Sequence, residues 1–160
     1  MMKALAVFSL VSMLAIPALA YNEADLTRLK ETGNCTSCDL SGAPMAALFL
    51  PGADFSGSDL TDADLRQTEL SGAGFNNAVL NGANLSDANA AYADFSAADL
   101  RHADLSRANF YSADMREAVL SHANLDGANF TRAHRAGITA VGAFICKTTM
   151  PDGHVEHRDC

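Results

Sequence analysis

Between Asp39 and Asp99 the chain carries a single basic residue, Arg66, and from Arg101 onward both signs mix. With a formal net charge of −8, this poverty of positive charge argues against nucleic acid as a partner. Long apolar runs are missing as well. The one from Ala4 to Ile16 falls short of the roughly twenty residues that a bilayer span needs. No cysteine lies near Ala20, which removes the simplest route to a lipid anchor. A Ser/His/Asp set, a phosphate loop and a cofactor box are also absent, so the chain is not expected to be an enzyme and calls for no cofactor.

What stands at the N-terminus is MMKALAVFSLVSMLAIPALA: one Lys, a short apolar run, and the small-residue triplet Ala18-Leu19-Ala20. These are the three parts of a secretory signal peptide. Residues 1–20 are therefore expected to be cleaved near Ala20, leaving a periplasmic or secreted protein that starts at Tyr21 and has no membrane span. Four cysteines in an exported chain favour disulfides over thiol chemistry.

From Leu40 to Phe130 a large apolar residue falls on nearly every fifth position, as in Leu60, Leu65, Leu70, Phe75, Leu80 and Leu85. A small residue stands two places earlier, as in Ala53, Ser58, Ala63, Thr68 and Ala73, usually with Asp or Asn between. A period of five fits neither a helix nor a continuous strand. Within one unit the small and large residues point to the same side of a short extended segment. The two polar positions that follow, with Gly52, Gly57, Gly72, Gly82 and Gly127, suit a corner. Four such sides close a coil, because a spacing of twenty aligns Phe55, Phe75 and Phe95, and likewise Phe110 with Phe130, whereas fifteen aligns only Phe95 with Phe110. One such coil cannot bury its faces alone, so both ends need lids.

Runs such as ANLSD, ADLRH, ADLSR and ANLDG resemble the pentapeptide-repeat proteins, and the resemblance covers about Cys38 to Arg132 with a degenerate continuation. It implies an all-β right-handed quadrilateral β-helix, expected here over residues 35–147. Residues 21–34 read as a short amphipathic cap helix, with Asn22 as N-cap, Leu26 and Leu29 on one side, and Gly33 as its stop. Residues 148–160 read as a C-terminal cap or tail in which Pro151-Asp152-Gly153 marks a turn. TTMPDG after Cys146 also resembles the closing motif of exported family members.

If the coils stack in this way, Cys35 and Cys38 lie at one end and Cys146 and Cys160 at the other, roughly 25 Å apart. A disulfide needs Cα atoms within about 7 Å, which excludes pairing between the ends and leaves Cys146–Cys160 as a clasp, with Cys35 and Cys38 open between a disulfide and a redox pair. The alternative for the first pair is a zinc site made by Cys146, His154, His157 and Cys160. His102 and His122 stand one coil apart, as a solvated pair or a weak metal site.

The expected function is an exported, non-catalytic scaffold that binds another protein or supports an envelope assembly; a homodimer stays open. Its candidate surface is the acidic half, with Asp54, Asp59, Asp64, Asp94 and Asp99, joined by Tyr92 and Tyr111 on adjacent coils. Carboxylates on a straight-sided rod face water, and nothing there draws their pKa toward neutrality. Some members of the family are acidic DNA-shaped inhibitors of type II topoisomerases that confer quinolone resistance. The acidity agrees with that reading; the signal peptide, which removes the protein from a cytoplasmic target, does not.

Overall fold

The corner is what makes five residues a structural unit. The carbonyl of Leu60 accepts the N–H of Ala63 at 3.0 Å, closing a turn whose third residue, Asp62, has φ 55°. The same turn recurs at Phe75–Ala78, Leu80–Ala83 and Leu85–Ala88. Glycine tolerates such a φ best, and Gly52, Gly57, Gly72, Gly82 and Gly127 occupy this place. Gln67, Tyr92, His102 and Glu117 adopt it too, so the corner does not depend on glycine. The residue before the large apolar one holds it instead. Oδ1 of Asp59 accepts the N–H of Thr61 at 2.9 Å, and Asp94 and Asn84 do the same for Ser96 and Ser86 at 2.9 and 3.0 Å. This is why Asp or Asn recurs there.

A computed structural model describes residues 21–160; the expected signal peptide, residues 1–20, lies outside the described residues. Isolated parallel bridges join residues twenty apart, from Asn34↔Asp54 to Asn129↔Thr149. Each side thus bonds to the coil before and the coil after: Leu60 donates to the Val79 carbonyl at 2.7 Å, and Asp59 donates to that of Cys38 at 2.9 Å. The ladder begins at Asn34 and reaches Thr149, so it extends past the expected bounds of 35 and 147.

Large and small positions alike point inward and are buried, Leu65, Leu80, Phe75 and Ala83 among them. Where the small residue is polar its hydroxyl is satisfied: Thr68 donates to the Leu65 carbonyl at 2.6 Å, and Ser58 donates to that of Cys35. The phenylalanines stack along the axis. Phe55, Phe75 and Phe95 lie nearly parallel at 4.6 and 4.5 Å; Phe95 meets Phe110 edge-on at 5.5 Å, and Phe110 stacks on Phe130 at 5.0 Å. The column changes face where Ala90 stands in a large-residue position.

Helix α1 spans Glu23–Thr32, inside the expected 21–34, because Asn22 accepts from the N–H groups of Ala24 and Asp25 and Gly33 turns left-handed with φ 70°. It sinks Leu26 and Leu29 into the core, and Asp39 donates its N–H to Asp25 at 3.0 Å. At the other end β1 (Thr148–Thr149) pairs antiparallel with β2 (Val155–Glu156) across the Pro151-Asp152-Gly153 turn. Asp159 ties this hairpin down by accepting the Ile145 N–H at 2.7 Å and donating its own to the Ile145 carbonyl at 2.9 Å. Disulfides Cys35–Cys38 and Cys146–Cys160 sit at the two ends, with Cα atoms 5.3 and 5.1 Å apart.

Candidate interaction surface

The twenty-residue register distributes the acidic residues over different sides of the rod. Asp54, Gly74, Asp94 and Asp114 follow one another along one side; Asp59, Val79 and Asp99 along the next; Asp64, Asn84 and Asp104 along the third. The acidic half expected from the sequence is therefore not one face. Neutral residues interrupt the columns, which limits the stacking of like charges on neighbouring coils to pairs such as Asp39–Asp59 and Asp94–Asp114.

Most of these carboxylates are also engaged. Asp64 forms a two-pronged pair with Arg66, with Nε to Oδ1 at 2.8 Å and Nη2 to Oδ2 at 2.7 Å, and Asp99 does likewise with Arg101. Asp114 pairs with Arg116, and Asp87 with Arg107 one coil on. Hydrogen bonds from the arginine side chains hold Asp64 and Asp99 below the usual carboxylate range. Asp54 is lowered chiefly by the Ser56 hydroxyl, then by the Ser56 N–H. Carboxylates held as anions in this way are poor proton donors.

The two tyrosines do come together. Tyr92 and Tyr111 meet edge to face with centroids 5.6 Å apart, and Tyr92 is 65% exposed. Arg132, from the next coil, donates from Nη1 to the Tyr111 hydroxyl at 2.9 Å and sets its guanidinium 5.8 Å from the ring centroid. Arg132 is absent from the candidates read in the sequence; its signal is a spacing of twenty-one from Tyr111, one coil plus one residue. The cluster lies on the fourth side, beside a ladder in which Asn89 donates to Glu69, Asn109 to Asn89 and Asn129 to Asn109, at 2.8 to 3.1 Å. Phe49, 79% exposed, heads the same column in the place usually held by Asp or Asn. It too escaped the sequence reading, although LFLPG visibly breaks the small-acidic-large order.

In the tail, Cys146 and Cys160 are joined to each other and so present no thiolates, while His154 lies 2.6 Å from Asp152 and His157 Nδ1 is 3.6 Å from the Cys160 sulfur. His102 and His122 stack in parallel at 5.2 Å, a geometry in which the rings face each other instead of converging on an ion. Among the described residues no group of three or more His, Cys, Asp or Glu gathers as a metal site, and no helix is long and apolar enough to cross a membrane.

Eight copies of the family model for pentapeptide repeats match the chain, over residues 34–77, 68–107 and 93–132. No curated protein matches it significantly. Among solved structures, the pentapeptide repeat protein Rfr23 from the cyanobacterium Cyanothece 51142 is 26% identical with a TM-score of 0.74, over 76% of this chain and 97% of that one. A pentapeptide repeat protein from the Arabidopsis thaliana thylakoid lumen is 38% identical with a TM-score of 0.50, over 56% of this chain and 66% of that one. QnrB1, a plasmid-mediated fluoroquinolone resistance protein, shares the fold at 21% identity and a TM-score of 0.60, over 79% of this chain and 62% of that one. The chain thus spans just under two thirds of the length of each of the last two.

Proposed function

Because the chain belongs to the pentapeptide-repeat family, whose members build right-handed β-helix solenoids and are generally non-catalytic structural or binding proteins, we propose that it is an exported scaffold. In this reading it docks a partner protein or supports an envelope assembly. The observation that carries it is the cluster of exposed Tyr92, half-buried Tyr111 and the Arg132 guanidinium bound to it. Tyr and Arg are the residues that anchor protein interfaces. Phe49 enlarges the same side.

Export is supported by the three-part N-terminus and by the disulfides at both ends, which suit an oxidising compartment. Helix α1 and the β1–β2 hairpin act as lids in this reading, keeping the solenoid from pairing end to end through its open coils. The topoisomerase reading draws on the acidity and on the shared fold of QnrB1. Against it stand the signal peptide and the pairing of Asp64, Asp87, Asp99 and Asp114 with arginines, which offsets the charge a DNA mimic would display.

Two measurements test the proposal together. N-terminal sequencing of protein from a periplasmic extract should read from Tyr21; an intact Met1 in the cytoplasm defeats the export part. A photo-crosslinking amino acid placed at Tyr92 should give discrete adducts in intact cells, and the same probe at Asn76 should not. Equal patterns from the two positions would remove the Tyr92 side as the docking surface.

A further inference from the structure

The last coil of the solenoid is hollow. In the coil before it the large inward positions are Met115, Leu120, Leu125 and Phe130; one coil on, the corresponding residues are Arg135, Ala140, Ile145 and Met150. Ala140 is too small and Arg135 too polar to fill the space. What they leave is a cavity of about 230 Å³ whose floor is apolar, formed by Met115, Leu120, Leu125 and Phe130, and whose lining also includes Arg135, Glu156 and Arg158. The hairpin covers it only in part, through Met150, Pro151 and Glu156.

The charges there are not equivalent. Arg158 is occupied: its Nη2 donates to the Ala143 carbonyl at 2.6 Å, and its Nε lies 3.3 Å from the Asp159 carboxylate. The guanidinium of Arg135, at a position where the repeat elsewhere places a large apolar side chain, has no hydrogen-bond or ion-pair partner among the described residues. The Glu156 carboxylate likewise has no partner among the described residues, so the open apolar hollow carries one free guanidinium and one free carboxylate, the parts of a site for an amphiphile whose anionic head meets Arg135.

We propose that this cavity binds a small amphiphile with an apolar body and a singly charged anionic head, of the class of medium-chain carboxylic acids. The body would rest on the Leu120–Phe130 floor and the head would meet Arg135. Size supports the class: an apolar cavity of about 150 Å³ admits benzene, so this one takes a chain of moderate length and leaves a long one protruding. Glu156 in the same lining disfavours a doubly charged head. A second copy of the chain is a poor occupant, because a two-fold contact between these ends sets one hollow against another.

The test is calorimetric titration of the disulfide-bonded chain with decanoate, decanol and decylamine below their aggregation concentrations. Decanoate should bind saturably, with one site per chain, and more tightly than decylamine. Arg135→Gln should weaken decanoate by about tenfold and leave decanol nearly unchanged. Ala140→Leu, which fills the space above Leu120, should weaken both ligands by at least about tenfold while leaving the thermal midpoint at or above that of the unmodified chain. Absence of saturable decanoate binding, or unaltered binding by Ala140→Leu, overturns the site. Equal affinity for decanoate and decylamine overturns the assignment of the head. A dimer in light scattering that decanoate neither dissociates nor binds makes this end a self-contact and overturns the proposal.

Discussion

Phe75 and Phe95 stack face to face, one coil apart, with ring centroids at 4.5 Å and planes 4° from parallel. Both are fully buried, and Phe55 lies on the other side of Phe75 at 4.6 Å. Phe75→Ala therefore opens a void between two rings that the coil spacing holds apart, and should cost about 3 to 5 kcal/mol. Asn76 is the adjacent residue but faces outward, where its side-chain oxygen lies 2.6 Å from the Ser56 hydroxyl oxygen. Asn76→Ala should cost less than about 1 kcal/mol. Urea unfolding of the two variants with disulfides intact measures the contrast, and equal small losses would contradict the stacking.

The architecture was legible in the sequence because one five-residue pattern is stated many times over, and the phenylalanines at 55, 75 and 95 reveal how many units close a coil. The role of the recurrent Asp or Asn was not. Its charge draws attention to a binding surface, whereas the physical demand at Asp59 or Asn84 is an acceptor for the N–H two residues on. That demand is met as well by Asn as by Asp, so the charge follows from the turn without requiring a partner. Arg66, Arg101 and Arg116 follow their aspartates at a fixed interval of two, a signal present in the sequence but unread. The hollow end was less accessible still. Arg135 and Ala140 stand out as breaks in the repeat, but whether the tail fills the gap depends on where the hairpin folds.

The two disulfides should be separable in their effects. The Cys146–Cys160 bond closes a loop with a sequence separation of 14, and constraining a loop of that length contributes about 3 kcal/mol. Because a solenoid is held by neighbour contacts, replacing Cys160 by Ala should loosen the hairpin first. Hydrogen exchange should show lost protection at the Met150 N–H, which bonds the His154 carbonyl at 2.8 Å, before any loss at Leu80. Non-reducing peptide maps of the unmodified chain should contain Cys35–Cys38 and Cys146–Cys160. A fragment joining the two ends would be incompatible with the ladder from Asn34 to Thr149.

Acid should weaken the rod from below the usual carboxylate range. Hydrogen bonds, from arginine to Asp64, Asp99 and Asp114, from Ser56 to Asp54 and from Ser71 to Glu69, hold these groups below their ordinary values in the folded chain. The folded state thus takes up protons less readily than the unfolded one. Its advantage is complete above the unfolded value of about 4 and is lost as pH falls through the lowered folded values. Exposure limits each contribution. Urea midpoints should fall between about pH 4 and pH 2. Asp54→Asn, which keeps an acceptor for the Ser56 N–H but cannot ionise, should show a shallower fall. A wild-type midpoint that stays constant through that interval would refute the assignment.

Gly142 is held to glycine by the histidine one coil earlier. It has φ +68°, and a Cβ there would lie 2.6 Å from Nδ1 and 2.8 Å from Cε1 of His122, whose ring is stacked on His102 at 5.2 Å. Gly72 has nearly the same backbone, with φ +69°, and a Cβ on it would meet nothing within 4 Å. Gly72→Ala therefore reports the backbone cost alone, about 1 kcal/mol. Gly142→Ala should cost about 1 kcal/mol more, because the His122 ring must leave its stack or the corner must shift. In a chain already carrying His122→Ala, the Gly142→Ala loss should shrink to that of Gly72→Ala, and a double-mutant cycle on urea unfolding measures the difference. If Gly142→Ala is no worse than Gly72→Ala in the unmodified background, the imidazole yields freely and the stacked pair is not a constraint on the corner above it.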